Sequence, residues 1–169
     1  MGLQWLGLNQ EEQAAVEEIQ AAGSCGTVEA VHEERDRLYL AVGRKNGQAY
    51  VRYSTRASLL RAAAWLDSRT SDFEVEETAS FTRLGAMLDN SRNAVMTVET
   101  VKDMCRLTAR MGCNMLMLYT EDTYEMDGHP YFGYMRGRYT AEELREMDEY
   151  AALLGIELVP CIQTLAHLG

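Results

Sequence analysis

Residues 111–122 read Met-Gly-Cys-Asn-Met-Leu-Met-Leu-Tyr-Thr-Glu-Asp. Gly112 is a helix stop, and the run from Met115 to Tyr119 is apolar at every position rather than at alternate ones. A strand apolar on both faces is one that expects cover on both sides, as parallel strands have. The same phrase returns at Leu154-Gly155, where a glycine again separates a helical stretch from an apolar run, IELVPCI. A third such strand, RLGAMLD, lies upstream. Between the strands, residues 97–111 carry Val98, Val101, Met104, Cys105 and Thr108 on one helical stripe. Thr140 opens a second helix with Glu143 as its capping-box partner, and Leu144, Met147, Ala151 and Leu154 form its stripe. The order is βαβαβ, which predicts a parallel sheet with crossover helices.

Two architectures use that order. A doubly wound sheet would often carry a glycine-rich phosphate loop after its first strand, but the loop here is DNSRNAVMT, with no glycine. A (β/α)8 barrel puts polar residues at the C-terminal ends of its strands. That pattern is present: Asp89-Asn90-Ser91-Arg92 after the first strand, Glu121-Asp122 after the second, Gln163-Thr164 and His167 after the third. The reading is therefore the opening β/α units of a (β/α)8 TIM barrel, over residues 83–169, ending after the third strand.

Residues 1–82 have a different grammar and predict a small α+β domain ahead of the barrel. NQEEQAAVEEIQAA is amphipathic, with Asn9 as N-cap and Gly23 at its end. Asn46-Gly47 is a type I′ hairpin signal that pairs Val42 with Val51 and Leu40 with Tyr53. Residues 55–68 read as a helix and DFEVEETAS as a further strand. An antiparallel sheet covered by two helices is expected.

Composition narrows the function. The chain has 169 residues, 47% hydrophobic and 25% charged, with a net charge of −10. That charge argues against nucleic acid and anionic membrane surfaces, which favour basic faces, and is compatible with a neutral ligand such as a sugar. No apolar run reaches the about 18 residues that span a bilayer, and MGLQWLGLNQ lacks a signal-peptide pattern, so a cytoplasmic protein is expected. Cys25, Cys105, Cys113 and Cys161 form no CxxC and read as free thiols in apolar segments. Trp5 and Trp65 read as packing residues and His32 as a solvated strand-edge histidine.

Four residues are candidates for chemistry. Arg92 has a planar fork suited to two neighbouring hydroxyls or a carboxylate; the alternative is a structural pair with Asp89 or Glu121. Glu121 and Asp122 are adjacent, and strand alternation allows at most one of them to face a site, with Asp122 preferred. A carboxylate here could orient His167 at the end of the next strand. Glu121, Asp122 and His129 have no diagnostic metal spacing, and no metal or cofactor is expected. The loop from Thr123 to Tyr139 carries Tyr124, Tyr131, Phe132, Tyr134 and Tyr139. Rings and guanidinium groups suit sugars, although packing against the rim would account for about half of these rings.

LDNSRNAV, LYTEDTYE, PYFGYMRGRYT and ELVPCIQTLAHL together resemble family-20 glycoside hydrolases, the β-N-acetylhexosaminidases, and are most similar to a bacterial branch that removes terminal N-acetylglucosamine or N-acetylgalactosamine. The resemblance covers roughly residues 84–169. It implies that Arg92 grips hydroxyls of the terminal sugar, and that one of Glu121 and Asp122 supports His167, which in turn contacts a general acid. That acid is a glutamate preceded by an aspartate, after the fourth strand; the substrate's acetamide oxygen is the nucleophile. An Asp-Glu pair following a fourth strand is not among these residues. The expectation is an N-terminal piece of a glycosidase, inactive alone and prone to self-association through open barrel edges. The rival expectation is a non-catalytic carbohydrate-binding or assembly module.

Overall fold

The computed structural model describes residues 3–20, 26–92 and 94–162. His167, Gln163, Thr164, Gly23 and Cys25 lie outside the described residues.

The N-terminal half is β1 (Leu3–Leu6), α1 (Gln10–Ile19), β2 (Gly26–His32), β3 (Tyr39–Lys45), β4 (Gln48–Tyr53), α2 (Arg56–Ser68) and β5 (Phe73–Thr78). The hairpin forms in the expected register, with Leu40 opposite Tyr53 and Val42 opposite Val51. Asn46 and Gly47 both have positive φ (52° and 80°), as the type I′ turn requires. The sheet, however, is mixed rather than antiparallel. Its order is β1-β2-β4-β3-β5, and β2 runs parallel to both β1 and β4. The cause is topological: α1 carries the chain back so that β1 and β2 run the same way, and the link from β2 to β3 passes the position that β4 then fills. Only the β3 pairings, to β4 and β5, are antiparallel.

One face of this sheet is the core face. Leu3, Trp5, Val28, Ala30, Leu40, Val42, Val51 and Tyr53 on it are buried. Helix α2 lies beneath it, and Ala57, Leu59, Leu60, Ala62, Ala63 and Leu66 are all buried. A helix apolar on so much of its circumference needs cover on more than one side. The sheet supplies one side and α3 the other. Each fully buried Leu contributes roughly 1.5–3 kcal/mol, so this central helix anchors both halves.

The C-terminal half is β6 (Gly85–Asp89), α3 (Val98–Arg110), β7 (Met115–Thr120), α4 (Ala141–Leu153) and β8 (Glu157–Ile162). The three strands are parallel in the order β6-β7-β8. Thr97 and Thr140 cap α3 and α4, and the Thr140/Glu143 capping box forms. Gly112 and Gly155 end the two helices at φ of 83° and 71°, a conformation that glycine adopts without strain. Along β7, Leu116, Leu118 and Thr120 are buried, whereas Met115, Met117 and Tyr119 on the opposite face are half-buried. The buried face joins Val101, Cys105, Ala109, Met147, Ala151 and Leu154 of α3 and α4 in one core that is continuous with the N-terminal core. The other face is less covered, and Met87 on it is 56% exposed. Both crossover helices thus serve one side of the sheet.

Polar staples hold the helical layers together. Arg110 of α3 donates to the Ile19 carbonyl of α1 and pairs with Asp67 of α2 at 2.8 Å. Arg56 of α2 donates to the Ala152 and Leu153 carbonyls at the C-terminus of α4, where a cation also opposes the negative end of the helix dipole. Tyr150 of α4 donates to Glu18 of α1 and accepts from Arg106 of α3. Burial pushes the Tyr150 hydroxyl up to about 12. Cys105 and Cys113 are buried free thiols and Cys161 is a half-buried one; burial raises Cys105 to about 11, which keeps it unreactive. Trp5 is buried in the core, and Trp65 donates to Glu77. His32 is exposed and lies 3.1 Å from the Ser54 carbonyl. Among the described residues no helix is long and apolar enough to cross a membrane.

Candidate functional site

The site is built where β6 and β7 end. Asp89 is the last residue of β6, and its Oδ1 accepts from the Ser91 hydroxyl (2.6 Å), the Ser91 amide (2.9 Å) and the Arg92 amide (3.4 Å). Those bonds, the Ser91 hydroxyl first, hold the Asp89 carboxyl below the usual range. The turn they form sets the direction of Arg92.

Asn90 is fully buried and ties the site to the long loop. Its backbone N–H donates to the Tyr119 carbonyl, its side-chain Oδ1 accepts from the Met96 backbone N–H, and its backbone carbonyl accepts from the Thr123 hydroxyl. The Tyr139 hydroxyl donates to the Met96 carbonyl at 2.6 Å and lies 3.2 Å from Asn90 Oδ1. Burial pushes Tyr139 up to about 12, so it stays a neutral donor. Both ends of the loop after β7 are thereby fixed to the end of β6.

The charged groups meet above this floor. Arg92 Nε lies 3.4 Å from Glu121 Oε1, and the Tyr119 hydroxyl donates to the same oxygen at 3.1 Å. Burial, followed by this contact with Glu121, raises the Tyr119 hydroxyl. Arg136 reaches in from the loop, with Nη1 2.7 Å from Asp122 Oδ1 and 3.9 Å from Glu121 Oε2. Two guanidinium groups therefore flank Glu121, and two carboxylates balance them. A cleft of about 340 Å³ is lined by Ser91, Arg92, Val95, Glu121, Arg136 and Gly137, among others. Arg92 is 60% exposed there and Glu121 only 15%. A cleft of balanced charge with donors and acceptors in reach suits a neutral polyhydroxylated ligand.

Alternation applies within a strand, and β7 ends at Thr120, ahead of both acids. Past it, both Glu121 and Asp122 turn towards Arg136. Glu121 lines the cleft and Asp122 makes the shorter ion pair. The position of His167 relative to them lies outside the described residues. Among the described residues no three His, Cys, Asp or Glu side chains come together as a metal site.

Arg136 is a residue the sequence did not single out, because it sits among the rings of YFGYMRG and its partners are far upstream. Asn90 escaped as well, since an asparagine after a strand reads as an ordinary turn former. The rings themselves divide. Tyr139 is buried, Tyr124 packs edge-on against Phe132 at 5.2 Å, and Tyr131 and Tyr134 are 81% and 63% exposed.

No family model and no curated protein sequence matches this chain. Solved structures do. An exo-β-N-acetylglucosaminidase of glycoside hydrolase family 20 from Vibrio harveyi, crystallised as an inactive mutant, matches with a TM-score of 0.73 at 18% identity, over 94% of this chain and 32% of that one. A family-20 β-N-acetylglucosaminidase matches with a TM-score of 0.72 at 23% identity, over 94% of this chain and 37% of that one. A Streptomyces plicatus β-hexosaminidase mutant in complex with its product N-acetylglucosamine matches with a TM-score of 0.68 at 19% identity, over 94% of this chain and 41% of that one. The chain spans between about a third and two fifths of the length of these structures. It has the fold of the N-terminal region of family-20 glycoside hydrolases.

Proposed function

We propose that this chain carries the first part of a β-N-acetylhexosaminidase site, in which a terminal N-acetyl-β-hexosamine (gluco or galacto) is gripped at the rim of a (β/α)8 barrel begun by β6, β7 and β8. The observation that carries the reading is the cleft that joins Arg92 to Glu121 and Arg136 at the ends of two adjacent parallel strands. The likeness in fold to family-20 enzymes supports it, as does the placing of α3 and α4 on one side of the sheet, which a barrel requires. In this reading Arg92 takes a pair of sugar hydroxyls, exchanging its long contact to Glu121 for two shorter ones. Asp122 or Glu121 fixes the tautomer of His167. The general acid is supplied after the fourth strand, the acetamide oxygen of the substrate attacks the anomeric carbon, and the acid protonates the leaving oxygen. The anomeric configuration is retained.

Three results test this. N-acetylglucosamine titrated into the 169-residue chain should shift the Ser91, Arg92 and Gly137 amide signals, and Arg92→Ala should weaken that response by about tenfold or more, as for a lost charge-assisted pair. Shifts that are absent, or that are unchanged in the variant, would count against the cleft. The chain by itself should not turn over an aryl N-acetyl-β-glucosaminide above background, because the acid pair of this reading follows a fourth barrel strand and the Asp148-Glu149 of this chain lies on α4; real turnover by pure protein would overturn that part. We also propose self-association through the less covered sheet face around Met87 and the edges of β6 and β8, which pair with no further strand among the described residues. Light scattering across a wide concentration range should show a mass rising above one chain, and a constant monomer mass would refute it.

A further inference from the structure

We infer that Tyr131 and Tyr134 form a stacking platform for a sugar unit beyond the one held in the Arg92 cleft; the identity of the sugar, but not the platform, rests on the function proposed above. The rings lie 6.0 Å apart at 72°, an edge-to-face corner. They are 81% and 63% exposed, beside Met135 at 89%. Large apolar side chains on a floppy loop would collapse onto the surface. These cannot, because the backbone beneath them is fixed. Successive turns close through His129 to Met126, Phe132 to His129, Tyr134 to Tyr131 and Arg136 to Gly133. Arg138 donates to the Phe132 carbonyl at 2.8 Å.

Two further features point outward. Gly133 and Met135 both have positive φ, 64° and 60°. For methionine that conformation is strained by about 1 kcal/mol or more, so the fold holds the exposed end of this loop in place against a local penalty. The fixed backbone also ties the rings to the cleft. Three residues after Gly133, Arg136 enters the cleft and pairs with Asp122. The loop that carries the platform therefore also supplies one side of the cleft, through Arg136 and Gly137. A corner of two rings offers one flat face and one edge, which suits the apolar CH face of a single pyranose and leaves its hydroxyls in water. The occupant is thus a carbohydrate chain whose terminal unit enters the cleft while an inner or neighbouring unit rests on Tyr131 and Tyr134.

The test uses the 169-residue chain with labelled tyrosine rings and, as probe, a β-1,4-linked tetramer of N-acetylglucosamine. The tetramer should shift the ring signals of Tyr131 and Tyr134. Tyr131→Ala or Tyr134→Ala should weaken its binding by about fivefold, while Tyr131→Phe and Tyr134→Phe stay within about twofold, since the ring and not the hydroxyl carries stacking. Both positions are exposed, so the folded state should tolerate all four variants. Ring signals that do not move up to the solubility limit, or alanine variants that bind as well as the parent, would overturn the platform. If the rings move with the tetramer but monomeric N-acetylglucosamine leaves the Arg92 and Gly137 amides unmoved, the platform stands and the cleft reading fails.

Discussion

Alanine at Gly133 should release the long loop from the site and abolish the response of the cleft to N-acetylglucosamine, while the same change at Gly128 should leave that response intact. Both glycines have positive φ, 64° and 78°, so both alanines carry the left-handed penalty of roughly 1–2 kcal/mol. Their surroundings differ. A Cβ at Gly128 meets nothing within 4 Å, whereas one at Gly133 would sit 2.1 Å from the Asp122 carbonyl oxygen and 2.8 Å from the Arg138 side chain. The Arg138 chain can move, but the carbonyl is backbone, two residues past the end of β7. Relief requires the loop to lift, which draws Arg136 away from Asp122 and Glu121. Amide exchange across residues 129–136 should quicken by about tenfold or more, equivalent to about 1.4 kcal/mol of lost local stability. Equal behaviour of the two variants would mean that the close approach of Gly133 to Asp122 does not hold the loop.

What the sequence revealed of this fold follows from the range of the forces involved. Helices α2, α3 and α4 were legible because each begins with a threonine cap and two of them stop at a glycine, all local signals. The β3–β4 register was legible because Asn46-Gly47 fixes it within one turn. The partners of β2 were not, since its pairing to β1 and β4 depends on where α1 and the link to β3 carry the chain. Strand β1 was missed because LQWL is short and offers only Leu3 and Trp5 as alternating apolar residues.

The candidate site divides in the same way. Arg92, Glu121 and Asp122 were found because they follow strands directly. Arg136 and Asn90 were not, because their roles exist only once the loop has folded back on β6. The pattern of rings in the loop was visible, but which of them pack and which face solvent was decided by the turns at Gly133 and Met135. Gly133 marks a turn without showing which rings it turns outward, and Met135 gives no turn signal at all.

Arg110→Met should destabilise the chain by about 3 kcal/mol, the scale expected when one partner of a buried ion pair is removed. Asp67 is only 3% exposed, whereas Arg110 is 32% exposed, so the variant takes a guanidinium away from a buried carboxylate and deprives the Ile19 carbonyl of a donor. For a chain of this size that corresponds to a fall in melting temperature of roughly 6–12 °C. The exposed pair of Arg83 with Glu157 is the control: its partners are 59% and 55% exposed, and Arg83→Met should change stability by less than about 1 kcal/mol. Adding Asp67→Asn to Arg110→Met should recover part of the loss, because the buried charge then disappears with its partner. The shape of the transition matters as much as its midpoint. Arg110 lies on α3, in the half that carries the cleft, while Asp67 and Ile19 belong to the half that precedes it. A single transition that moves as a whole in Arg110→Met would mean that the two halves unfold as one cooperative unit, as the continuous core beneath α2 requires. Two transitions, with only one displaced, would mean that the N-terminal sheet folds independently of the strands that carry Arg92 and Glu121, and that the staple at Arg110 joins two domains already complete.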